Sequence, residues 1–427
     1  MTVETSASRT SPADHRVWRD LLTGPSAGAV LAAALGADGA SLDTWHVREV
    51  QARPGAELTV AYDVVARRRD DGADTSAHEH LFATSAAGLD AGADSTALDD
   101  GVVRLDDGTH LLHVWRHPHD PALPGMPVGT TPARLTARLR EAGIAADVLS
   151  LETVTYRPMR RAVLRARTTI GTLYVKVVRP ARAAALVQRH ELFTAQDRLA
   201  APRVLTWGDD GVVVLAELVG RPLADHLAAT PAHRQPDAFD PADLLRLAAA
   251  LPAEGVRLPR RAPWAERLDQ YTAALADGHG IDPARLDRLA AGVRDAVRGR
   301  DLGPVVTTHG DLHAANIVLG DAGPGAAPRP AGVLDVDTLG PGHLVDDLAC
   351  AVAHLAVLPG LAPGTYDGVD GLVERCLAGF GAAVDPVVLR ARAAAVVVSL
   401  AVGAPDAATA SGWIDVAERF VAAVEGF

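Results

Sequence analysis

The sequence contains almost no lysine and almost no asparagine. Of its 427 residues, 41 are Lys or Arg, yet Lys176 is the only lysine, and Asn316 is the only asparagine. Both amino acids have A-rich codons, so a GC-rich genome would replace most of them by arginine or aspartate. A position that keeps either residue is therefore a candidate for a chemical requirement. The alternative is that Lys176 and Asn316 remain by chance.

Other scarcities exclude whole classes of protein. Only two cysteines are present, which excludes a disulfide scaffold and the paired-cysteine zinc sites. The net charge of −12 is unfavourable for binding nucleic acid and is compatible with cationic small molecules. The longest apolar stretch, 393–404, is too short to span a bilayer, and the first residues lack the features of a signal peptide. We therefore expect a cytoplasmic protein without a nucleic-acid or membrane partner.

The remaining composition is that of a globular protein. Hydrophobic residues make up 48% of the chain and charged residues 22%, far from the disordered class. The length suggests roughly two to three domains. The pattern of elements predicts domains at 1–145, 146–222 and 223–427, with 1–16 as a disordered tail.

The first predicted domain begins with a helix and continues as strands separated by Gly- and Asp-rich turns. The Pro-rich segment at 117–127 has no fourth metal ligand at a suitable spacing, so it is interpreted as a rigid turn. The predicted elements are a helix over Asp14–Leu35 and strands at Trp45–Val50, Leu58–Val65, His80–Thr84 and Leu111–Arg116.

A second β-rich stretch follows, and the chain beyond 237 is mostly helical, with short strands around 305–338. Residues 50–54 resemble 154–158, either by chance or because the first region is a degenerate copy of the second without its lysine. The predicted elements are helices at Pro132–Ala142 and Arg182–Leu199 and strands at Glu152–Tyr156, Val163–Thr168, Leu173–Val178, Arg203–Trp207 and Val212–Glu217.

The densest chemical signal is the segment HGDLHAAN, His309 through Asn316. An apolar run follows this segment, and a second apolar run leads to Asp335 and Asp337. The pattern indicates two strands joined by a loop, with the polar side chains of the segment and the two aspartates close together. Phosphoryl transfer needs a base for the attacking hydroxyl and oxygen ligands for Mg²⁺. It also needs a cation on the phosphate oxygens.

Lys176 is a candidate for that cation. It lies inside the apolar strand LYVKVV, where a lysine is costly unless it faces a cleft. Arginine has a planar fork and does not replace a compact ammonium. Glu191 on the following helix could orient the lysine, and a surface helix residue is the alternative.

These motifs resemble the aminoglycoside phosphotransferase family of kinase-like small-molecule phosphotransferases. The resemblance covers about 150–425 and includes the loop, Asp335, the later segment Asp347-Leu348-Ala349 and the strand lysine. It implies an α+β, bilobal protein-kinase-like fold with a β-rich N-lobe and a helical C-lobe. The extra β-rich N-terminal domain is similar in layout to the cap of actinobacterial maltokinases and glucosamine kinases. The chain departs from maltokinases in having Asn316 where glutamine is expected.

The resemblance also implies cofactors and residue roles, with Mg²⁺ as the metal and ATP as the phosphate donor. Asp337 is left open as a second metal ligand, a contact to the acceptor or a solvated turn residue. The implied roles are Asp311 as catalytic base, Asn316 and Asp335 as Mg²⁺ ligands, Lys176 on the α- and β-phosphates with Glu191 holding it, Glu217 and Leu218 along the adenine, and His309 and Asp347 as braces of the loop.

Several further residues keep two interpretations. His313 is interpreted as structural. Arginines in the first hairpin of the second β-rich stretch could contact phosphate, although solvated turn residues are the favoured interpretation. A helical segment that lines the acceptor site in this family offers candidates that core packing would also explain in part. The two sets are Arg157, Arg160 and Arg161 in the hairpin, and Trp264, Glu266, Asp269 and Tyr271 in the helical segment.

The predicted function is ATP-dependent transfer of a phosphate to a hydroxyl of an amino sugar, an aminoglycoside or a related metabolite. A catalytically weak, nucleotide-binding regulator is the alternative. A protein kinase is disfavoured because the Gly-rich loop is missing and no Ala-Pro-Glu segment follows Asp335. The acceptor, the preference for ATP over GTP and the oligomeric state are not predicted.

Overall fold

The first part of the chain forms an antiparallel sheet with two helices on one face. The strands pair in the order β1-β2-β3-β5-β4, and Val60 and Tyr62 of this face pack against Leu22 and Leu31 of the helices. The elements are α1 (Pro12–Thr23), α2 (Ala27–Gly36), β1 (Ala40–Gln51), β2 (Thr59–Asp70), β3 (Ala73–Thr84), β4 (Val102–Asp106) and β5 (Leu111–Arg116).

Two details of this region differ from the sequence-based expectation. The single helix expected over Asp14–Leu35 is wrong, because the chain breaks between α1 and α2 at Gly24 and Pro25. A proline disfavours the helical conformation of the residue before it. The sequence analysis did not predict strand β4. Its five residues show no clear alternation of burial in the structure.

A second antiparallel sheet follows, with the expected three-strand meander at its start. Its order is β6-β7-β8-β10-β9, and Leu164 and Val175 on one face pack against Leu135 and Leu139. The elements are α3 (Met126–Thr130), α4 (Pro132–Glu141), β6 (Val148–Arg157), β7 (Arg161–Thr168), β8 (Gly171–Val178), α5 (Pro180–Thr194), β9 (Val204–Trp207) and β10 (Val212–Ala216).

The rest of the chain is mainly helical around one apolar core. Among the described residues, one helix, α10 (Leu344–Leu361), is long and apolar enough to cross a membrane, but 56% of it is buried inside the protein. The elements are β11 (Arg221–Pro222), α6 (Leu223–Ala228), α7 (Pro241–Ala249), α8 (Leu268–His279), α9 (Pro283–Val297), β12 (Val305–Thr308), β13 (Ile317–Leu319), β14 (Pro330–Val333), β15 (Gly340–His343), α10 (Leu344–Leu361), α11 (Val369–Phe380), α12 (Pro386–Ala401) and α13 (Ala407–Ala422).

The computed structural model describes residues 12–51, 57–70, 73–85, 101–106, 111–196, 198–320 and 328–424. Most of the expected N-terminal tail and positions 52–54 of the internal similarity lie outside this part. The chain forms two units, Met1–Ala184 with Leu205–Ala216, and Ala185–Val204 with Glu217–Phe427. The expected fold class is confirmed: an α+β protein with a β-rich N-terminal part and a helical C-terminal part. The three expected domain boundaries stay a prediction.

Candidate active site

A buried carboxylate binds the backbone at the start of the loop from His309 to Asn316. The backbone N–H groups of His309 and Gly310 donate to the two oxygens of Asp347, at 2.7 and 2.8 Å. Asp347 lies in the first turn of α10 and is 1% exposed. Two charge-assisted hydrogen bonds from adjacent backbone groups restrict the loop to one orientation.

His309 ties the same loop to the strand hairpin beside it. Its Nε2 donates to the carbonyl oxygen of Leu334 at 2.8 Å, and its Nδ1 accepts from the backbone N–H of Asp311 at 3.3 Å. A neutral imidazole has one donor and one acceptor nitrogen, which matches both contacts. Burial lowers the pKa of His309, so the neutral form is the one that fits. Burial also raises the pKa of Asp347 to about 7.

Asn316 and Asp335 come together because they flank the paired strands β13 and β14. Ile317 pairs with Val333, and the N–H of Leu334 donates to the backbone carbonyl of Asn316 at 2.8 Å. Asp335 has φ 51° and ψ 52°, in the left-handed region. That conformation is uncommon for residues other than glycine and is found at functional sites.

The side chains of this pair suit Mg²⁺. The Asn316 amide nitrogen donates to the carbonyl oxygen of Asp311 at 3.0 Å and lies 3.1 Å from His313 Nε2, which leaves its Oδ1 as the ligand atom. Together with the carboxylate of Asp335, it forms a set of hard oxygen donors, the kind Mg²⁺ prefers. The residues present therefore fit the implied metal.

The carboxylate of Asp311 lies beside two side chains of α10 that the sequence analysis did not single out. The thiol of Cys350 donates to Asp311 Oδ1 at 3.9 Å. Cys350, His354 and Asp311 have their polar atoms within 4.8 Å of one another, and the His354 ring stacks on His313 at 4.4 Å. Burial raises the pKa of Cys350 well above its usual value and lowers that of His354, so both are neutral neighbours of the carboxylate. A spacing of four residues on one helix was the signal that could have identified them.

Lys176 is buried on β8 of the first unit, at 7% exposure. It pairs with Val163 of β7 and Val213 of β10. Side chains alternate along a strand, so Lys176 faces away from Val175 and Val177, which belong to the core beside α3 and α4. The side chain of Lys176 thus lies on the sheet face opposite those helices.

The expected partners of the nucleotide lie in the second unit. Glu191 is an exposed residue of α5, and its pairing with Lys176 stays a prediction. Glu217 and Leu218 directly follow β10. Leu218 lies so close to Gly332 of β14 that a Cβ at Gly332 would come within 2.7 Å of its side chain.

The candidates for the acceptor site divide into two groups. Glu266 bonds to Arg260 at 2.5 Å, and Asp269 bonds to Arg294 at 2.6 Å while remaining exposed. The aromatic candidates instead surround an arginine that the sequence did not single out. The guanidinium carbon of that arginine, Arg267, lies 4.7 Å from the Trp264 ring centroid and 5.5 Å from that of Tyr271.

The chain resembles known phosphotransferases in sequence and in fold. The model of the phosphotransferase enzyme family, APH, matches residues 160–386. No curated protein matches the chain.

Solved structures match it at low identity. They include macrolide 2'-phosphotransferase MphH from Brachybacterium faecium, with 19% identity over 68% of this chain and 97% of that one and a TM-score of 0.38. Aminoglycoside phosphotransferase APH(3'')-Id from Streptomyces rimosus has 24% identity over 61% and 97%, with a TM-score of 0.40. A choline/ethanolamine kinase family protein from Mesorhizobium loti has 18% identity over 69% and 98%, with a TM-score of 0.44.

The family model covers more than half of the chain and includes the whole loop from His309 to Asn316, together with Lys176, Asp335 and Asp347. The expected family is thereby confirmed. The chain belongs to the APH phosphotransferase enzyme family.

Proposed function

We propose that the protein is an ATP-dependent kinase that transfers the γ-phosphate to a hydroxyl group of a small molecule. Membership of the family makes it a phosphotransferase of the kinase type. The observation that carries the finer proposal is the braced loop, in which Asp347 and His309 hold Asp311 beside Asn316. Catalysis of phosphoryl transfer consists mainly of such positioning and of charge neutralisation.

In this mechanism, Asp311 accepts the proton of the acceptor hydroxyl as its oxygen attacks the γ-phosphorus in line. The thiol of Cys350 donates to Oδ1 of this carboxylate. Asn316 and Asp335 would hold Mg²⁺, and Asp337 would be either a second metal ligand or a contact to the acceptor. When bound, the metal neutralises charge on the phosphate oxygens.

Lys176 would contact the α- and β-phosphates, with Glu191 orienting it. Glu217 and Leu218 would lie along the adenine. His309 and Asp347 do not touch the substrates in this proposal; they position the loop. A small-molecule hydroxyl compound and ATP are thus the proposed partners, and the cytoplasm is the proposed location.

Transfer from ATP labelled in its γ-phosphate to a small-molecule fraction of a bacterial extract tests this function. The matching panel of pure acceptors is glucosamine, an aminoglycoside, maltose, choline and homoserine. We expect a labelled phosphate ester that does not form when EDTA removes Mg²⁺. Binding of Mg²⁺-ATP without label on any small molecule would favour the regulator instead. No binding of ATP would contradict both functions.

A further inference from the structure

A small cavity lies against the loop that carries Asp311. Its volume is about 30 Å³, and Thr308 and Gly310 form part of its wall. Neighbouring α-carbons are about 3.8 Å apart, so a group in this cavity lies within a few ångströms of the backbone of Asp311. The space exceeds what one water needs and is too small for a sugar ring.

The charged residues of the cavity wall are mostly arginines. They are Arg261, Arg267 and Arg392, with Asp346 as the only carboxylate among the residues that line it. Asp346 is already bonded to Arg392. The wall thus holds more positive than negative charge, which is unfavourable for the ammonium group of an amino sugar.

Buried N–H groups without partners supply the second observation. Within the described part of the chain, the Nε atoms of Arg267 and Arg392 and the Nε1 atom of Trp264 are buried and lack a hydrogen-bond partner. All three residues line the cavity, and Arg392 is only 6% exposed. Leaving such donors unpaired costs free energy, and an acceptor that reached them from the cavity would relieve that cost.

Two aromatic rings flank the guanidinium of Arg267 in the cavity wall. Its guanidinium lies over Trp264 and within 5.5 Å of the ring centroid of Tyr271, and cation–π contacts of this kind favour a fixed orientation. The negative charge of the whole chain does not oppose a local anion site. Exposed charges farther away than about 8 Å are largely screened at physiological salt.

We propose that this cavity binds an anionic group of the phosphate acceptor, a carboxylate or a phosphate monoester. The acceptor is then a hydroxyl compound with an acidic arm, such as a sugar acid, rather than a polycationic aminoglycoside. This inference rests on the proposed kinase function, because it assigns the acceptor of that same site. Charge-assisted hydrogen bonds from the three N–H groups supply the recognition.

Four hexoses that differ mainly in charge form the probe series. They are D-glucuronate with a carboxylate, D-glucose 6-phosphate with a phosphate monoester, D-glucose with neither, and D-glucosamine with an ammonium. Calorimetric titration at constant ionic strength gives the dissociation constant of each. We expect at least one anionic hexose to bind about 100-fold more tightly than glucosamine, and which one it is distinguishes the two anions.

The variants Trp264→Phe and Arg267→Met test the donors. Trp264→Phe keeps an aromatic ring and removes only the indole N–H, so we expect weakening of anion binding by about tenfold. The matched controls are Trp207→Phe and Arg298→Met, both at exposed positions, and they should leave binding unchanged.

The outcomes separate this inference from the function on which it rests. Binding of Mg²⁺-ATP is measured in parallel without any hexose. If ATP binds and neither anionic hexose binds more tightly than glucosamine, the anionic acceptor is overturned and the kinase stands. An anion that binds equally to wild type and both donor variants would also overturn it. If anions bind as expected but ATP does not, the kinase function fails.

Discussion

The two sheets of the first unit share one strand order but present opposite chemistry. Both begin with a three-strand meander, place the fifth strand beside the third and leave the fourth at the edge. Both carry two helices on one face. The shared order is what an internal duplication would leave, although the duplication itself stays a prediction.

The sheet faces opposite the helices differ in chemistry. In the second sheet this face carries Lys176. In the first, Leu81 and Ala83 face the helices, so Phe82 points to the other side, where it stacks on Trp115 with ring centroids 5.5 Å apart. The same architecture thus supports a charged face in one sheet and an apolar face in the other.

The apolar face of the first sheet holds the β6–β7 hairpin of the second. Phe82 and Trp115 form a buried cluster with Met159, which has φ 65°. The buried carboxylate of Asp120 accepts from the backbone N–H of Met159 at 2.7 Å and from the Tyr156 hydroxyl at 2.8 Å. The first sheet thus supports the β6–β7 hairpin, whereas the second carries the lysine that we propose contacts the phosphates.

The largest expected effect comes from removing the charge of Lys176 in the second sheet. Lys176→Met should lower kcat/KM by about 100-fold or more, because a donor to phosphate charge is lost, and Lys176→Arg should also impair transfer. Steady-state kinetics with Mg²⁺-ATP measure both. Arg104→Met on the edge strand of the first sheet is the control and should change nothing. Unchanged kinetics in Lys176→Arg would contradict the argument from the rarity of lysine.

Phe82→Ala tests the apolar face. We expect the free energy of unfolding to fall by about 3–5 kcal/mol, because a buried aromatic side chain leaves a cavity. Denaturant titration measures it, and Val17→Ala, at an exposed helix position, is the control. A loss no greater than in the control would mean that the aromatic cluster does not stabilise the unit.

Asp120→Asn tests the carboxylate under the hairpin. The variant should lose about 1–3 kcal/mol, because its amide cannot accept all the bonds that the carboxylate does. Burial raises the pKa of Asp120, so the folded protein holds this proton at a higher pH than the unfolded chain. Wild type therefore loses stability as pH rises above the unfolded pKa of 3.8. The difference in the free energy of unfolding between wild type and Asp120→Asn should therefore shrink from pH 4 upward. A difference that grows with pH would contradict the raised pKa of Asp120.

Tyr156→Phe should have the smallest effect. The change removes only the hydroxyl that donates to Asp120 and receives the Trp115 N–H, so we expect a loss of about 0.5–1.5 kcal/mol. The same denaturant titration measures it. A loss as large as that of Phe82→Ala would place the main support in the hydrogen bonds rather than in the aromatic cluster.

The sequence predicted features that depend on neighbouring residues. Lys176 interrupts a contiguous apolar strand, and the segment from His309 to Asn316 is also contiguous, so both could be recognised before folding. Cys350 and Arg392 come near the loop only when α10 and α12 pack, and arginine is too frequent in this chain for any one to stand out. Gly24 and Pro25, which break the helix, could be read from the sequence. The apolar pattern continues on both sides of them and favoured a single helix.

The most direct test of the account is phosphate transfer by Asp311→Asn, measured with Mg²⁺-ATP binding on the same sample. Asp295→Asn, the same change at an exposed position of α9, is the control. We expect Asp311→Asn to lose transfer by at least about 100-fold while it binds Mg²⁺-ATP as wild type does. Retention of most of the transfer activity would contradict the assignment of Asp311 as the base.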